Sequence, residues 1–276
     1  MINQNKSREE FIMSCVQEHY DEAVSLGYEV VAVFLQGSQN YCCDIYTEEY
    51  RSDVDTKAII LPSLDDIVRG SSPFSHTHVR ANNEHIDIKD IRVMFENFRK
   101  QNSSYLEILF TDFKIINPKY EVLMTELLNQ AENIARAHPN QALRCFSGMS
   151  MEKLKALTHP YPSIKDKIDK FGYDPKQLHH ILRLNEFVKR YIAGESFKDC
   201  LKPTNINYLV GIKLGVLPLE EAKTLAVNVD RETKELVLLS KTEEEIINQE
   251  VVDFLTELKI KFIKQFLSEE LRNAEV

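Results

Sequence analysis

Two aspartates two residues apart, in Ser52-Asp53-Val54-Asp55, are the part of this sequence best suited to chemistry. In an extended strand the side chains at i and i+2 share a face, about 6–7 Å apart along the chain, so Asp53 and Asp55 point the same way. Left alone, two such carboxylates repel and one takes up a proton. A divalent cation between them removes that cost, and Mg²⁺ prefers hard oxygen ligands. Upstream, Gly37-Ser38 closes an apolar run. Glycine lets backbone approach a ligand closely, and exposed amides at a helix N-terminus hold phosphate. Either motif alone is ordinary, a solvated pair or a turn. Together they point to a nucleoside triphosphate held on magnesium.

A second set of residues is basic. Between 175 and 193 the pattern is helical: Ile181, Leu184, Val188 and Tyr191 form a stripe that must pack. Lys176, His180 and Arg183 lie on its flank, within about 60° of one another. On geometry alone this flank is a solvated face as readily as a phosphate contact. Lys153 in Met151-Glu152-Lys153-Leu154-Lys155 reads the same two ways. His76 and His78 belong to a polar loop rather than a metal site, because no third soft ligand is near in sequence. Cys42 and Cys43 have no basic or His neighbour to make a catalytic thiol.

The elements that must position these residues are an N-terminal mixture of α and β. Ser7-Arg8-Glu9-Glu10 is a capping box that opens a helix over 8–26, stopped at Gly27. Tyr28–Leu35, Asp53–Leu61 and Glu84–Lys89 read as strands. Beyond Pro118 the pattern turns helical near 118–131, 139–157 and 175–193, with a small hairpin at Thr224–Leu239. A last helix has the stripe Ile247, Val251, Phe254, Leu258, Phe262 and Phe266. The expectation is an α+β protein: residues 1–130 as a mixed-sheet catalytic domain and 131–276 as a mainly helical domain.

Composition limits the partners. With 276 residues, 43% hydrophobic and 28% charged, the chain can bury a core. No run approaches about 18 apolar residues, and the N-terminus lacks a secretory pattern. Five cysteines with no CxxC pair suit reduced thiols, so a cytoplasmic protein without membrane contact is expected. Asp+Glu 43 against Lys+Arg 34 gives −9, which excludes unspecific nucleic-acid binding through a global field.

The order Gly37-Ser38, Ser52-Asp53-Val54-Asp55 and a later strand with another Asp resembles the DNA polymerase β-type nucleotidyltransferase superfamily. Gly37-Ser38-Gln39-Asn40-Tyr41, Tyr105-Leu106-Glu107-Ile108-Leu109 and Asp174-Pro175-Lys176…His180-Ile181-Leu182-Arg183-Leu184 are similar to a bacterial and phage branch of it, some members of which are associated with RNA repair. The resemblance spans roughly residues 28–195. It implies a mixed sheet with flanking helices, in which three carboxylates bind two Mg²⁺ ions while an NTP such as ATP gives its nucleotidyl group to a hydroxyl. Carried over, the first two acids are Asp53 and Asp55. The third is Asp87, between apolar neighbours in His85-Ile86-Asp87-Ile88; Asp90 is better explained as the N-cap of the following helix. The resemblance also favours Gly37, Ser38, Lys176, His180, Arg183 and Lys153 as nucleotide contacts. The acceptor it implies is an RNA 3′ end, with a protein side chain or small molecule fitting the acidic balance. A regulatory or antitoxin-like nucleotide binder without turnover is the rival reading. Three departures stand out: a long gap from Gln39 to Ser52 carrying Asp44, Glu48 and Glu49; Cys42 where the branch often has Gly; and no Pro after Asn102.

Overall fold

The capping box forms as the sequence predicts: the Glu10 amide donates to Ser7 Oγ at 3.3 Å and the Ser7 amide to Glu10 Oε2 at 2.8 Å, opening the helix Arg8–Ser25. Gly27, at φ +87°, ends it in the left-handed region. The computed structural model describes residues 7–47, 51–242 and 246–274. Their contacts divide the chain into two units, one of Met1–Asn40, Tyr46–Ala137 and Asn248–Val276, the other of Tyr41–Ile45 and His138–Ile247.

The first unit is built on a mixed five-stranded sheet of β1 (Val30–Gln36), β2 (Asp55–Ile60), β3 (Ser75–Val79), β4 (His85–Asp90) and β5 (Lys114–Ile116), in the order β3-β4-β2-β1-β5. β2 and β4 run parallel and the other pairs antiparallel. β1, from Val30 to Leu35, is buried throughout, as a central strand covered on both faces must be. β4 instead alternates, burying Ile86 and Ile88 against the Arg8–Ser25 helix and turning His85, Asp87 and Lys89 to the other face.

Two edge strands differ from the sequence reading. His76 and His78 sit in β3 rather than in a loop, and His78 Nε2 pairs with Glu22 Oε1 at 2.7 Å. β5 has only three residues, too short for a periodic signal, and exists because β1 offers it a ladder. The last helix, Gln249–Ala274, belongs to this unit and not with the helical half, and the unit itself runs on to Ala137; both points differ from the expected division at 130/131. Its apolar stripe explains the return. Val251, Leu255, Leu258 and Phe262 are buried, the Phe262 ring packs tilted against Phe95 and Tyr120, and Gln265 Nε2 donates to the Lys119 carbonyl at 2.6 Å.

The second unit is helical, formed by Pro139–Ala156, Lys165–Phe171, Pro175–Ile192, Phe197–Leu201, Ile206–Lys213 and Leu219–Ser240. The expected hairpin at Thr224–Leu239 is instead part of a 22-residue helix. Ala222, Ala226, Asp230, Thr233 and Val237 are its buried residues, a helical spacing that the polar Asp230-Arg231-Glu232 turn-like run disguised. Asp230 is buried because Ser150 donates to it at 2.8 Å and Lys234 pairs with it at 2.6 Å. Phe146, Phe187, Tyr191 and Phe197 fill the core between the helices, Phe146 and Phe187 with ring centroids 4.5 Å apart. Among the described residues no helix is long and apolar enough to cross a membrane.

Candidate active site

Register decides which polar residues meet on the outer face of the sheet. Gln36 pairs with Asp55 across β1 and β2, Lys57 with Asp87 across β2 and β4, and Thr77 with Asp87 across β3 and β4. Paired residues share a face, so Gln36, Asp55, Lys57, Asp87 and Thr77 form one polar patch. Just before β2, Val54 is fully buried in the core on the opposite side, whereas Asp53 is exposed and Asp55 partly exposed. Asp90 lies elsewhere. It is 1% exposed, accepts from the Arg92 amide as the N-cap of Ile91–Arg99, and pairs with the Arg92 guanidinium at 2.6 Å.

Gly37 follows β1 at φ +97°, and a Cβ there would meet only Gln39 Oε1 at 3.8 Å. Glycine is therefore required by backbone conformation rather than by crowding. Its amide donates to Glu107 Oε1 at 3.3 Å, so this turn already presents an N–H to an anionic oxygen. Ser38 opens the short 3₁₀ turn Ser38–Tyr41. Gln39 has a role its sequence position did not reveal. Its side chain is 3% exposed and donates to the Asp53 carbonyl at 2.6 Å, tying the Gly-Ser turn to the acidic motif.

A buried network supports the motif from behind. His19, fully buried, contacts Thr56 Oγ1 at 2.8 Å through Nδ1 and Glu84 Oε2 at 3.1 Å through Nε2. Glu84 also accepts from Arg80 at 2.9 Å and Asn82 at 2.8 Å, and its other oxygen accepts from the Val54 amide at 3.4 Å, between the two aspartates. Burial acts to raise the Glu84 pKa, but its contacts with His19 and Asn82 outweigh that and hold it below the usual carboxylate range. Separations of 65 and 30 residues hid this network from local pattern.

The acids divide when tested as metal ligands. Asp53 and Asp55 offer hard oxygens in solvent reach, and on Asp55 the His85 amide at 3.0 Å and the His85 ring at 3.2 Å both fall on Oδ1. Asp87 has both oxygens engaged: Oδ1 accepts from Thr77, and Oδ2 from Gln36 at 3.2 Å and Lys57 at 3.5 Å. Burial would raise its pKa, yet Thr77 and Lys57 hold it down. Among the described residues no group of three or more His, Cys, Asp or Glu side chains is placed to hold a metal ion.

The second unit gathers the basic residues singled out above. Lys176, His180, Arg183 and Lys153 come into electrostatic range of one another: burial depresses the His180 pKa most, and Arg183, His179, Lys176 and Lys153 add to it. Arg183 is not a solvated edge. It is 7% exposed, its guanidinium lies 4.0 Å from the Tyr41 ring centroid, and its Nε is buried with no partner. Two members were missed. Lys213 donates to the Cys43 carbonyl at 3.1 Å, and burial, then the charge of Lys176, depress its pKa to about 8. His179 donates from Nδ1 to the Leu209 carbonyl at 3.1 Å and leaves Nε2 buried without a partner. Asp44 acts on Lys213, and Asp174 caps the helix at the Lys176 amide; cations still predominate. Glu48 and Glu49 lie outside the described residues. Cys42 takes φ +59°, the left-handed region that glycine favours.

No family model matches the chain, and no curated protein matches it. Among solved structures, a nucleotidyltransferase-like protein from Exiguobacterium sibiricum is similar over 95% of this chain and 80% of its own, at 10% identity and a TM-score of 0.28. A likeness that weak assigns neither fold nor activity.

Proposed function

We propose that this protein is a nucleotidyltransferase of the DNA polymerase β type, moving an NMP from an NTP to an acceptor hydroxyl with release of pyrophosphate. The observation that carries the reading is the Gln39 bridge: one buried side chain couples the Gly37-Ser38 turn to the backbone of Asp53. The bridge keeps the Gly37-Ser38 turn beside Asp53, where a phosphate at the turn and a cation at the acids would meet.

In this reading Asp53 and Asp55 hold a divalent ion, which when bound supplies positive charge against the triphosphate and lowers the pKa of the acceptor hydroxyl. The Gly37 amide, now donating to Glu107, is directed at an anionic oxygen and turns to a phosphate when Glu107 yields. Gln39 and Glu84 keep the acidic motif in place from either side of its backbone. The cationic cluster around Arg183 is an anion site of the second unit, suited by its charge to a phosphate chain. The acceptor is an RNA 3′ end, as in the resembled repair-linked branch, or a protein side chain or small molecule.

One observation favours a second reading, a nucleotide-binding regulator without turnover: Glu107 and Lys57 already occupy the Gly37 amide and Asp87. Incubation with each labelled NTP and Mg²⁺, with RNA, protein and small-molecule acceptors, separates the two. Pyrophosphate release that Asp53→Asn and Asp55→Asn each reduce at least a hundredfold, with unchanged thermal unfolding, supports transfer. Nucleotide binding without pyrophosphate across all acceptors supports the regulator.

A further inference from the structure

Lys57 stands where a chain with three metal-binding acids has no need of a cation. It is on β2, two residues after Asp55 and on the same face, and 3% exposed. Its ammonium lies 3.5 Å from Asp87 Oδ2 and 4.4 Å from the Tyr105 ring centroid. Desolvated on nearly every side, an ammonium there requires an anion, and Asp87 is the carboxylate within ion-pair distance. Asp87 in turn accepts from Thr77 and Gln36 as well, and Lys89 approaches its other oxygen at 3.8 Å. Turning Asp87 toward a metal would break these bonds, take from Lys57 the carboxylate within ion-pair distance, leave it only the weaker field of Glu107, and set it beside a dication.

We propose that Lys57 is the built-in counter-ion of Asp87, so that the acidic site takes one divalent ion, through Asp53 and Asp55, and not two. The ion itself rests on the reading above; the Lys57–Asp87 pairing does not. The geometry assigns Asp87 to positioning Lys57 and its strand, and leaves a single metal position whose ligands are two residues apart.

Mn²⁺ is the probe, with free ion counted by electron paramagnetic resonance against the whole protein. One ion per chain is expected, with Asp55→Asn weakening binding at least tenfold and Asp87→Asn changing it less than threefold. Two ions per wild-type chain, or a loss in Asp87→Asn equal to that in Asp55→Asn, overturns the proposal. If the wild type binds no Mn²⁺, the metal reading fails and thermal unfolding decides the pairing. Lys57→Met and Asp87→Asn should each lower the Tm, and the double variant no further than the worse single one. Additive losses refute the counter-ion.

Discussion

Acidification should destabilise the protein through its buried histidines, His179 contributing a share that can be isolated. His179 is 1% exposed, and burial is the main cause that lowers its pKa from 6.5 to about 4, the charges of Arg183, Lys213 and Lys176 adding to it against the Leu209 hydrogen bond. A base with a depressed folded pKa contributes stability that is whole above its unfolded value and is lost as pH falls, here between 6.5 and about 4. Linkage puts the loss at about 2.5 kcal/mol on going from roughly pH 7 to roughly pH 4.5. His179→Asn isolates it, because the Asn amide still donates to the Leu209 carbonyl and does not titrate. Urea unfolding followed by circular dichroism at both pH values should show the wild type losing about 2.5 kcal/mol more than the variant. Equal losses in the two proteins would show that His179 is not held neutral by its surroundings, and the electrostatic account of the cationic cluster would go with it. Inorganic tripolyphosphate, by adding anions to the cluster, should shrink the wild-type loss.

Arg183→Ala should weaken tripolyphosphate binding, read by calorimetry, at least tenfold, whereas Arg190→Ala should leave it within twofold; Arg190 is already paired with Glu195 at 2.8 Å, and equal effects would remove Arg183 from the anion site. Gly37→Ala should cost about 1–2 kcal/mol because of its left-handed φ, while Gly148→Ala, in a helix with open space around it, should be stabilising by up to about 1 kcal/mol. Thermal unfolding in which both glycines respond alike would refute the backbone argument. Glu84→Gln should destabilise by roughly 3 kcal/mol at neutral pH by breaking a buried ion pair. It should also flatten the acid limb, since a carboxyl with lowered folded pKa loses its contribution as pH falls below about 4.3; an unchanged acid limb would separate Glu84 from acid stability.

Local physics made much of this protein legible from its residues alone. The capping box at Ser7, the stop at Gly27, the cap at Asp90 and the apolar stripe of Pro175–Ile192 depend on neighbours within a few positions, and these elements appear where pattern puts them. The alternation around Val54 likewise follows from the period of an extended chain. Partners at long range were decided only by tertiary structure. Sheet register chose Lys57 for Asp87, a 65-residue separation hid His19 from Glu84, and the stripe of Gln249–Ala274 does not say which sheet or bundle will cover it. The same holds for charge. Periodicity put Arg183 on a basic flank beside Lys176 and His180, but whether that flank met water or an aromatic ring depended on where Tyr41 was brought. With the ring 4.0 Å away, the guanidinium is desolvated, and a residue that reads as surface is buried with an unmet donor.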